Sequence, residues 1–371
     1  MELLDFEAVY KPMKFERLLS AGNLHDIESI YRYIDEGVAP SKAYWVDKRV
    51  LVTGLDGMVG STIADQLISL GAHVSGTVKR HAVHHRPNIQ HNLDSGSLKA
   101  YEADLCDYGR TQDIIRQVEP HAIFHQAAES FVPSSLEQPG SVVNNNCVST
   151  VNVLEAATKY DKSLEGIQLA CSSEEYGFVK SLDELPISED RELRPTSTYA
   201  VTKVFTEYIG KSYWYMYRTP TLMTRCFNQE GPRRGPQFFT ARIARQVSDC
   251  ISGKADKIVM GNPNAVRDFT HVHDSAAAQI LAIEKGVRGD VYNVCSGIGM
   301  TTGYYAKLAL MVYGLDVPVY IDKSLLRSYE RGDNLFDGFI GSNKKFIDQT
   351  GWHPKKTVVD IIRDGVASQW I

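Results

Sequence analysis

No stretch of this 371-residue chain approaches the roughly 18 consecutive apolar residues that a membrane-spanning helix needs. That absence argues against a membrane partner. The N-terminal stretch "MELLDFEAVYKPMKFERLL" lacks the apolar core of a signal peptide, because charges recur every few residues. Cysteine is sparse: the six are Cys106, Cys147, Cys171, Cys226, Cys250 and Cys295, scattered and without a CxxC pair. A disulfide framework or a metal centre would need tighter spacing, so free thiols in a reducing cytoplasm are expected, and no metal. Excess positive charge is missing too. The formal net charge is -5, which argues against a nucleic-acid partner, since phosphate-backbone binding needs a clustered basic surface. Internal repeats and low-complexity segments are absent as well.

What is present is an ordinary globular composition, 43% hydrophobic and 23% charged, at a length that suits two closely joined domains. Residues 1–46 read as a helical extension ahead of the first strand. Within it, "NLHDIESIYRYIDEG" has a cap at Asn23, an apolar face from Ile27, Ile30 and Ile34, and a stop at Gly37. From Lys48 the pattern alternates. "RVLVTG", "HVSGTV", "AIFHQAA", "IQLACSS" and "PTLMTRCFN" are strand-like. "STIADQLISLG", "YGRTQDIIRQVEP", "GSVVNNNCVSTVNVLEAATKY" and "STYAVTKVFTEYIGKSYWYMY" are helical. Such alternation predicts an α/β fold with a doubly wound parallel sheet. Its first domain is expected over 47–230, with 270–298 returning to it. A smaller C-terminal α/β lobe over 231–371, rich in glycine, proline and arginine at "NQEGPRRGPQFF", is expected to take the substrate.

"LVTGLDGMVGSTIADQL" joins the first strand to the first helix, with Gly54, Gly57 and Gly60 spaced G-x-x-G-x-x-G. Glycines in that context turn tightly, admit a pyrophosphate and let helix pack on strand, while the helix start at Met58 and Val59 offers free N–H groups to phosphate. This is a Rossmann-type dinucleotide site. A carboxylate after the second strand would favour NAD; Lys79 and Arg80 stand there instead and suit the 2′-phosphate of NADP, with NAD the alternative. Asp104 and Leu105 end the third strand, towards the adenine. His81, His84, His85 and His91 form a polar loop without an acidic or cysteine partner, which argues against a metal.

"TSTYAVTK" puts Tyr199 and Lys203 four apart, on one helix face. A phenol with a pKa of about 10 is a poor base near neutrality, and lowering it by about three units needs roughly 4 kcal/mol. The Lys203 ammonium and a positively charged nicotinamide could supply that. "CSSEEYG", at the end of a buried run, adds hydroxyls and carboxylates where an open α/β sheet places its site. If the strand continues, Ser172, Glu174 and Tyr176 share one face, and Ser173 and Glu175 the other.

Taken together, Thr53–Gly60, "HQAAES", Ser172 and Tyr199-x-x-x-Lys203 resemble the extended short-chain dehydrogenase/reductases that modify nucleotide sugars, over about residues 49–365. "FNQEGPRRGPQFFTARI" is similar to GDP-mannose 4,6-dehydratases. "CSSEEYG", "AVRDFTHVHD", "GDVYNVCSGIG" and "GSNKKFIDQTGWHP" look more like GDP-4-keto-6-deoxymannose reductases. The resemblance implies that Ser172 holds the sugar O4 beside Tyr199 and that Glu174 is the base at C5. It places Ser173 at the C6 hydroxyl and leaves Glu175 without a role, as an exposed or hydrogen-bonded loop carboxylate. Ala127, Ala128 and Ser130 would line the nicotinamide side, with Asn146 supporting it. Asn228 and the arginines Arg233, Arg234, Arg242, Arg267 and Arg327 would meet the sugar and its diphosphate, a task suited to the planar guanidinium fork.

The expected function is an NADP-dependent 4,6-dehydratase of a nucleotide diphosphate sugar, a GDP-sugar by resemblance. A 4-keto reductase that consumes NADPH is the alternative, and an epimerase stands third. A cofactor-sensing binding protein is the reading from another class, opposed by the intact Ser172, Tyr199 and Lys203. Relatives pair through two long helices, so a cytoplasmic homodimer or homotetramer is expected.

Overall fold

The structure is a computed structural model that describes residues 1–5, 37–79, 86–160, 163–179, 181–326 and 338–369. The helix expected from Asn23, the residues Arg80, His81, His84 and His85, and Arg327 lie outside the described residues. In chain order the strands are β1 (Glu2–Leu3), β2 (Arg49–Thr53), β3 (His73–Val78), β4 (Leu98–Glu102), β5 (Ala122–His125), β6 (Gly166–Ser172), β7 (Thr221–Cys226), β8 (Asn228–Glu230), β9 (Ile258–Met260), β10 (Val266–His271), β11 (Val291–Val294), β12 (Gly299–Thr301), β13 (Val319–Ile321) and β14 (Gly338–Phe339).

Seven strands form one all-parallel sheet in the order β11-β7-β6-β5-β2-β3-β4. The order runs outward from β2 in both directions, so the switch point lies between β2 and β5. Both faces are covered, which explains why β5 and β7 are buried at every residue and read as near-continuous apolar runs. On one face, helices α1 (Met58–Ser69) and α6 (Val272–Lys285) bury Ile63, Leu67, Ile280 and Ile283 together with Trp45 and Trp352. On the other, α2 (Tyr108–Val118) and α3 (Ser149–Tyr160) bury Ile114, Ile115, Val153 and Leu154. The long helix α4 (Thr198–Tyr217) follows, capped by Ser197, whose hydroxyl accepts from Ala200 N at 3.1 Å.

The remaining strands build two small sheets. In one, β10 pairs antiparallel with β12 and parallel with β14 and β8. In the other, β13 pairs parallel with β9 and antiparallel with β1. Helices α5 (Phe239–Ile251), α7 (Thr302–Tyr313) and α8 (Val358–Ala367) pack around Phe269, Val319 and Tyr305.

Three expectations need correction. Residues 1–46 do not all precede the first strand: Glu2–Leu3 is itself a strand on β13, and Leu4 is buried with Ile258 and Met260 in the core of the smaller sheets. Two short extended residues among charges carry no periodicity to announce this. The helix expected over 140–160 is interrupted, running as Pro139–Val143, then one π-helical turn at Asn144–Val148, then α3. That turn is where side chains face the cleft, a common place for π-bulges. The strand at "CSSEEYG" stops at Ser172, and Ser173–Tyr176 is a 3-10 turn, so simple alternation of faces fails beyond Ser172. No helix among the described residues is long and apolar enough to cross a membrane.

Candidate functional site

At the carboxyl ends of the parallel strands lies one cleft of about 980 Å³. Gly54, with φ +64, leaves β2 in the left-handed region, where its lost Cβ would sit 2.9 Å from the Ala127 backbone. A Cβ on Gly60 would lie 2.3 Å from the Gly54 carbonyl oxygen. The first turn of α1 therefore presses directly on the loop, and Gly57, Met58, Val59 and Gly60 line the cleft with their N-terminal backbone facing it. A cradle of this form, which side chains would fill, fits a pyrophosphate.

The opposite edge of the cradle is pinned from β5. Thr53 Oγ1 accepts from the backbone N–H groups of Gln126 and Ala127, both at 3.1 Å, and stands 2.9 Å from His125 Nδ1. His125 Nε2 is 3.1 Å from Thr150 Oγ1, which donates its own proton to the Asn146 carbonyl. The threonine protons then assign the imidazole as neutral with its hydrogen on Nε2. Burial agrees, holding His125 down to about 3. Ala127, Ala128 and Ser130 continue the cleft wall. Asn146 lies outside that lining: its amide is spent on the Glu129 backbone and on Thr202, so it braces the wall from behind, while Asn145 faces the cleft.

Lys79 lines the cleft beside the glycine loop, 3.8 Å from Asp104 and 3.2 Å from Asn145 Oδ1. Asp104 is held below the usual carboxylate range by the Cys106 backbone N–H and by Lys79, and Leu105 lies beside it. Sequence reasoning missed Arg86, which pairs with Asp56 of the glycine loop at 2.6 Å and reaches the Lys79 carbonyl oxygen at 3.4 Å. Thirty residues separate Arg86 from Asp56, and no local pattern joins them.

The 3-10 turn after β6 brings Ser172, Ser173 and Glu174 all onto the cleft, facing Tyr199 and Lys203 of α4. Ser172 Oγ accepts from Glu174 N at 3.2 Å and lines the cleft together with Tyr199. Among the chain's own groups, burial dominates at Tyr199 and raises its phenol, and the nearby Ser172 side chain offsets only part of that. Lys203 Nζ donates to the Ala170 carbonyl and sits 5.8 Å from the Tyr199 ring centroid. Burial lowers the Lys203 ammonium. Glu175 is neither exposed nor in the cleft: it is fully buried behind the turn.

The far end is lined by Asn228, Arg233, Arg234, Arg242 and Arg267. Their states differ. Arg233 is tied to Asp65 of α1 at 2.7 Å. Arg234 pairs with Glu230 at 3.1 Å and stacks over Phe238. Arg242 is exposed on α5, and Arg267 is buried with Nη1 on the Val266 carbonyl oxygen. Phe131 and Phe238 meet edge to face, 5.6 Å apart, across the cleft mouth. Neither aromatic was expected there.

A glycine cradle at the sheet's switch point, facing a serine, a tyrosine and a lysine, is the plan of the short-chain dehydrogenase/reductases. This chain belongs within that class to the GDP-mannose 4,6 dehydratase family, whose family model matches residues 51–365. "GDP-mannose 4,6 dehydratase 2" of Caenorhabditis elegans is 28% identical over 94% of this chain and 97% of its own length. "GDP-6-deoxy-D-mannose reductase" of Pseudomonas aeruginosa is also 28% identical, over 87% of this chain and 97% of its own. Among solved structures, RMD from Pseudomonas aeruginosa complexed with NADPH superposes with a TM-score of 0.73 at 25% identity, covering 87% of this chain and 100% of that one. A UDP-glucose 4-epimerase from Thermotoga maritima, at 24% identity and a TM-score of 0.73, shares the fold, covering 86% of this chain and 98% of that chain.

Proposed function

We propose that the protein is an NADP-dependent 4,6-dehydratase of a GDP-sugar. Its dinucleotide-binding part is residues 47–230 with 270–298, and its substrate lobe is 231–371. The observation that carries the reading is Glu174, a carboxylate turned onto the same cleft as Ser172 and Tyr199. A 4-keto reductase or an epimerase needs the serine, tyrosine and lysine; a base at C5 is needed only to expel water.

NADP fits the cradle of Gly54, Gly57 and Gly60, with Lys79 and Asp104 at its adenosine end; when bound it supplies storage of one hydride between sugar C4 and C6. The chain's groups do the rest. Ser172 holds O4 by its hydroxyl. Tyr199 takes the O4 proton; burial raises its phenol, and a positively charged nicotinamide held there would offset that. Once C4 is a ketone, the C5 hydrogen is acidic. Glu174 removes it and returns that proton to the C6 hydroxyl, which leaves as water with Ser173 alongside. Arg242 and Arg267, with Asn228, hold the sugar diphosphate by bidentate contacts. The exposed apolar residues of α4, Val201, Tyr208, Tyr215 and Met216, suit pairing with a second copy. The thiols are free among the described residues, and we place the protein in the cytoplasm.

The second reading is a 4-keto reductase, favoured by the likeness to the Pseudomonas reductase. Incubation with a panel of nucleotide sugars, with and without added NADPH, separates the two by mass. Loss of one water without reductant supports the dehydratase. A gain of two hydrogens that requires NADPH overturns it.

A further inference from the structure

Glu175 lies behind the catalytic turn, on the side away from the cleft. We propose that Glu175 is a positioning residue, a protonated carboxyl that links the turn carrying Ser172 and Glu174 to Glu207 on the helix carrying Tyr199 and Lys203. Its effect on turnover rests on the dehydratase reading; the proton does not.

The geometry leaves few alternatives. Glu175 Oε1 accepts from Ser172 N at 2.7 Å, while Ser172 Oγ accepts from Glu174 N, a reciprocal cap that fixes where the strand becomes a turn. Glu175 Oε2 is buried with no donor on it, and its nearest cation, Arg225 Nε, is 3.7 Å away. That guanidinium is committed elsewhere: Arg225 Nε and Nη2 each hold one oxygen of Glu207 at 2.7 Å, and Lys211 adds a third bond at 2.6 Å. Glu175, Glu207 and Cys171 offer atoms that all lie within 4.8 Å of one another. Two buried carboxylates at this spacing do not both ionise, and the one with three donors keeps the charge. A proton on Glu175 Oε2 turns the orphan acceptor into a donor aimed at Glu207.

The surroundings agree. Burial and the Glu207 charge push Glu175 up to about 8. On β6, Cys171 is held well above the ordinary thiol range by burial, so it stays neutral. On α4, Lys203 is turned to Ala170, and Tyr199 is raised. Tyr176 is raised by burial and bonded to Arg225 and Asn293. The covering segment presents Glu189, whose carboxylate takes Asn293 N, and Arg194, whose side chain pairs with Glu192.

The test is a pH titration of the full chain with carboxyl-¹³C glutamate, followed by NMR. One carboxyl carbon should titrate well above the ordinary carboxylate range and vanish in Glu175→Gln. Glutamine can accept from Ser172 N and donate to Glu207, so this variant should keep wild-type turnover near neutrality. It should also hold that turnover at alkaline pH, where the wild type loses it. Glu175→Leu, which makes neither bond, should lose kcat at all pH values with KM little changed. No glutamate titrating well above the ordinary carboxylate range overturns the proposal, even if neither protein turns over a nucleotide sugar. So does a Glu175→Gln variant that loses most of its neutral turnover or keeps the wild-type alkaline limb.

Discussion

Lys203 Nζ donates to the Ala170 carbonyl oxygen at 2.7 Å, which anchors the ammonium of the long helix to the strand that ends at Ser172. Tyr199 and Ser172 line the same cleft from those two elements. The serine, tyrosine and lysine are thus two secondary-structure elements bolted together, and the reactive hydroxyls inherit their rigidity. The charge at Lys203 acts on Tyr199 through space from a fixed position, one helical turn away.

Tyr199→Phe should bind cofactor and nucleotide sugar normally and lose turnover by about 10²–10⁴-fold, the usual worth of a placed acid–base group. Steady-state rates with a fluorescence measurement of cofactor binding check this. More than about a tenth of wild-type turnover with chemistry limiting would remove Tyr199 from the proton step.

NADP should bind more tightly than NAD, and Lys79→Ala should narrow the gap. A charge-assisted bond to the 2′-phosphate is worth about 1.5–3 kcal/mol, so the loss should be about tenfold or more for NADP and small for NAD. Calorimetric titration of both cofactors reads it. Equal affinity in the unmodified protein would defeat the assignment.

Gly60→Ala should abolish cofactor binding and lower stability by about 1–3 kcal/mol, because its methyl meets the Gly54 carbonyl and backbone must move. Gly96→Ala is the control, since a Cβ there meets nothing within 4 Å; its positive φ costs stability but should leave binding intact.

His125 sets an acid limit. It is neutral between Thr53 and Thr150, and its folded value near 3 lies below the ordinary 6.5 of a free histidine. The unfolded chain therefore binds a proton first as pH falls, so the stability present above pH 6.5 drains away towards pH 3. His125→Gln should flatten the stability–pH curve in that window by one proton's slope, measured by urea unfolding at a series of pH values. An unchanged slope would mean that His125 is charged in the native state.

The parallel sheet and cofactor cradle were legible because their signals are local. Gly54 to Gly60 and Tyr199 to Lys203 are short-range spacings, and the buried strands read as apolar runs. Other features are long-range and leave no such trace. Arg86 meets Asp56, and Arg225 meets Glu207 and Tyr176, through folding alone. Glu175 looks like a loop carboxylate because neighbouring residues are polar, yet the turn that begins at Ser173 rotates it inward. Arg233 reads as a phosphate ligand from "PRRG", but Asp65 takes its guanidinium.

Glu174 carries the last prediction. Its backbone N–H is bonded to Ser172 Oγ, so the carboxylate is held two residues beyond the serine proposed to meet O4. On the proposed dehydratase reading, Ser172 and Tyr199 serve oxidation at C4 and Glu174 serves proton removal at C5, which becomes possible only after the ketone exists. Glu174→Gln keeps the side-chain shape and cannot take the proton. The variant should therefore oxidise C4 and stop, with reduced cofactor accumulating on the enzyme and the C6 hydroxyl still on the sugar. Single-turnover absorbance of bound NADPH, with mass analysis of the quenched sugar, follows both at once. A variant that releases dehydrated product at the wild-type rate would show that another group takes the C5 proton. A wild-type enzyme that never releases water and needs added NADPH would show that Glu174 has no proton to take, and that the reductase reading describes the protein.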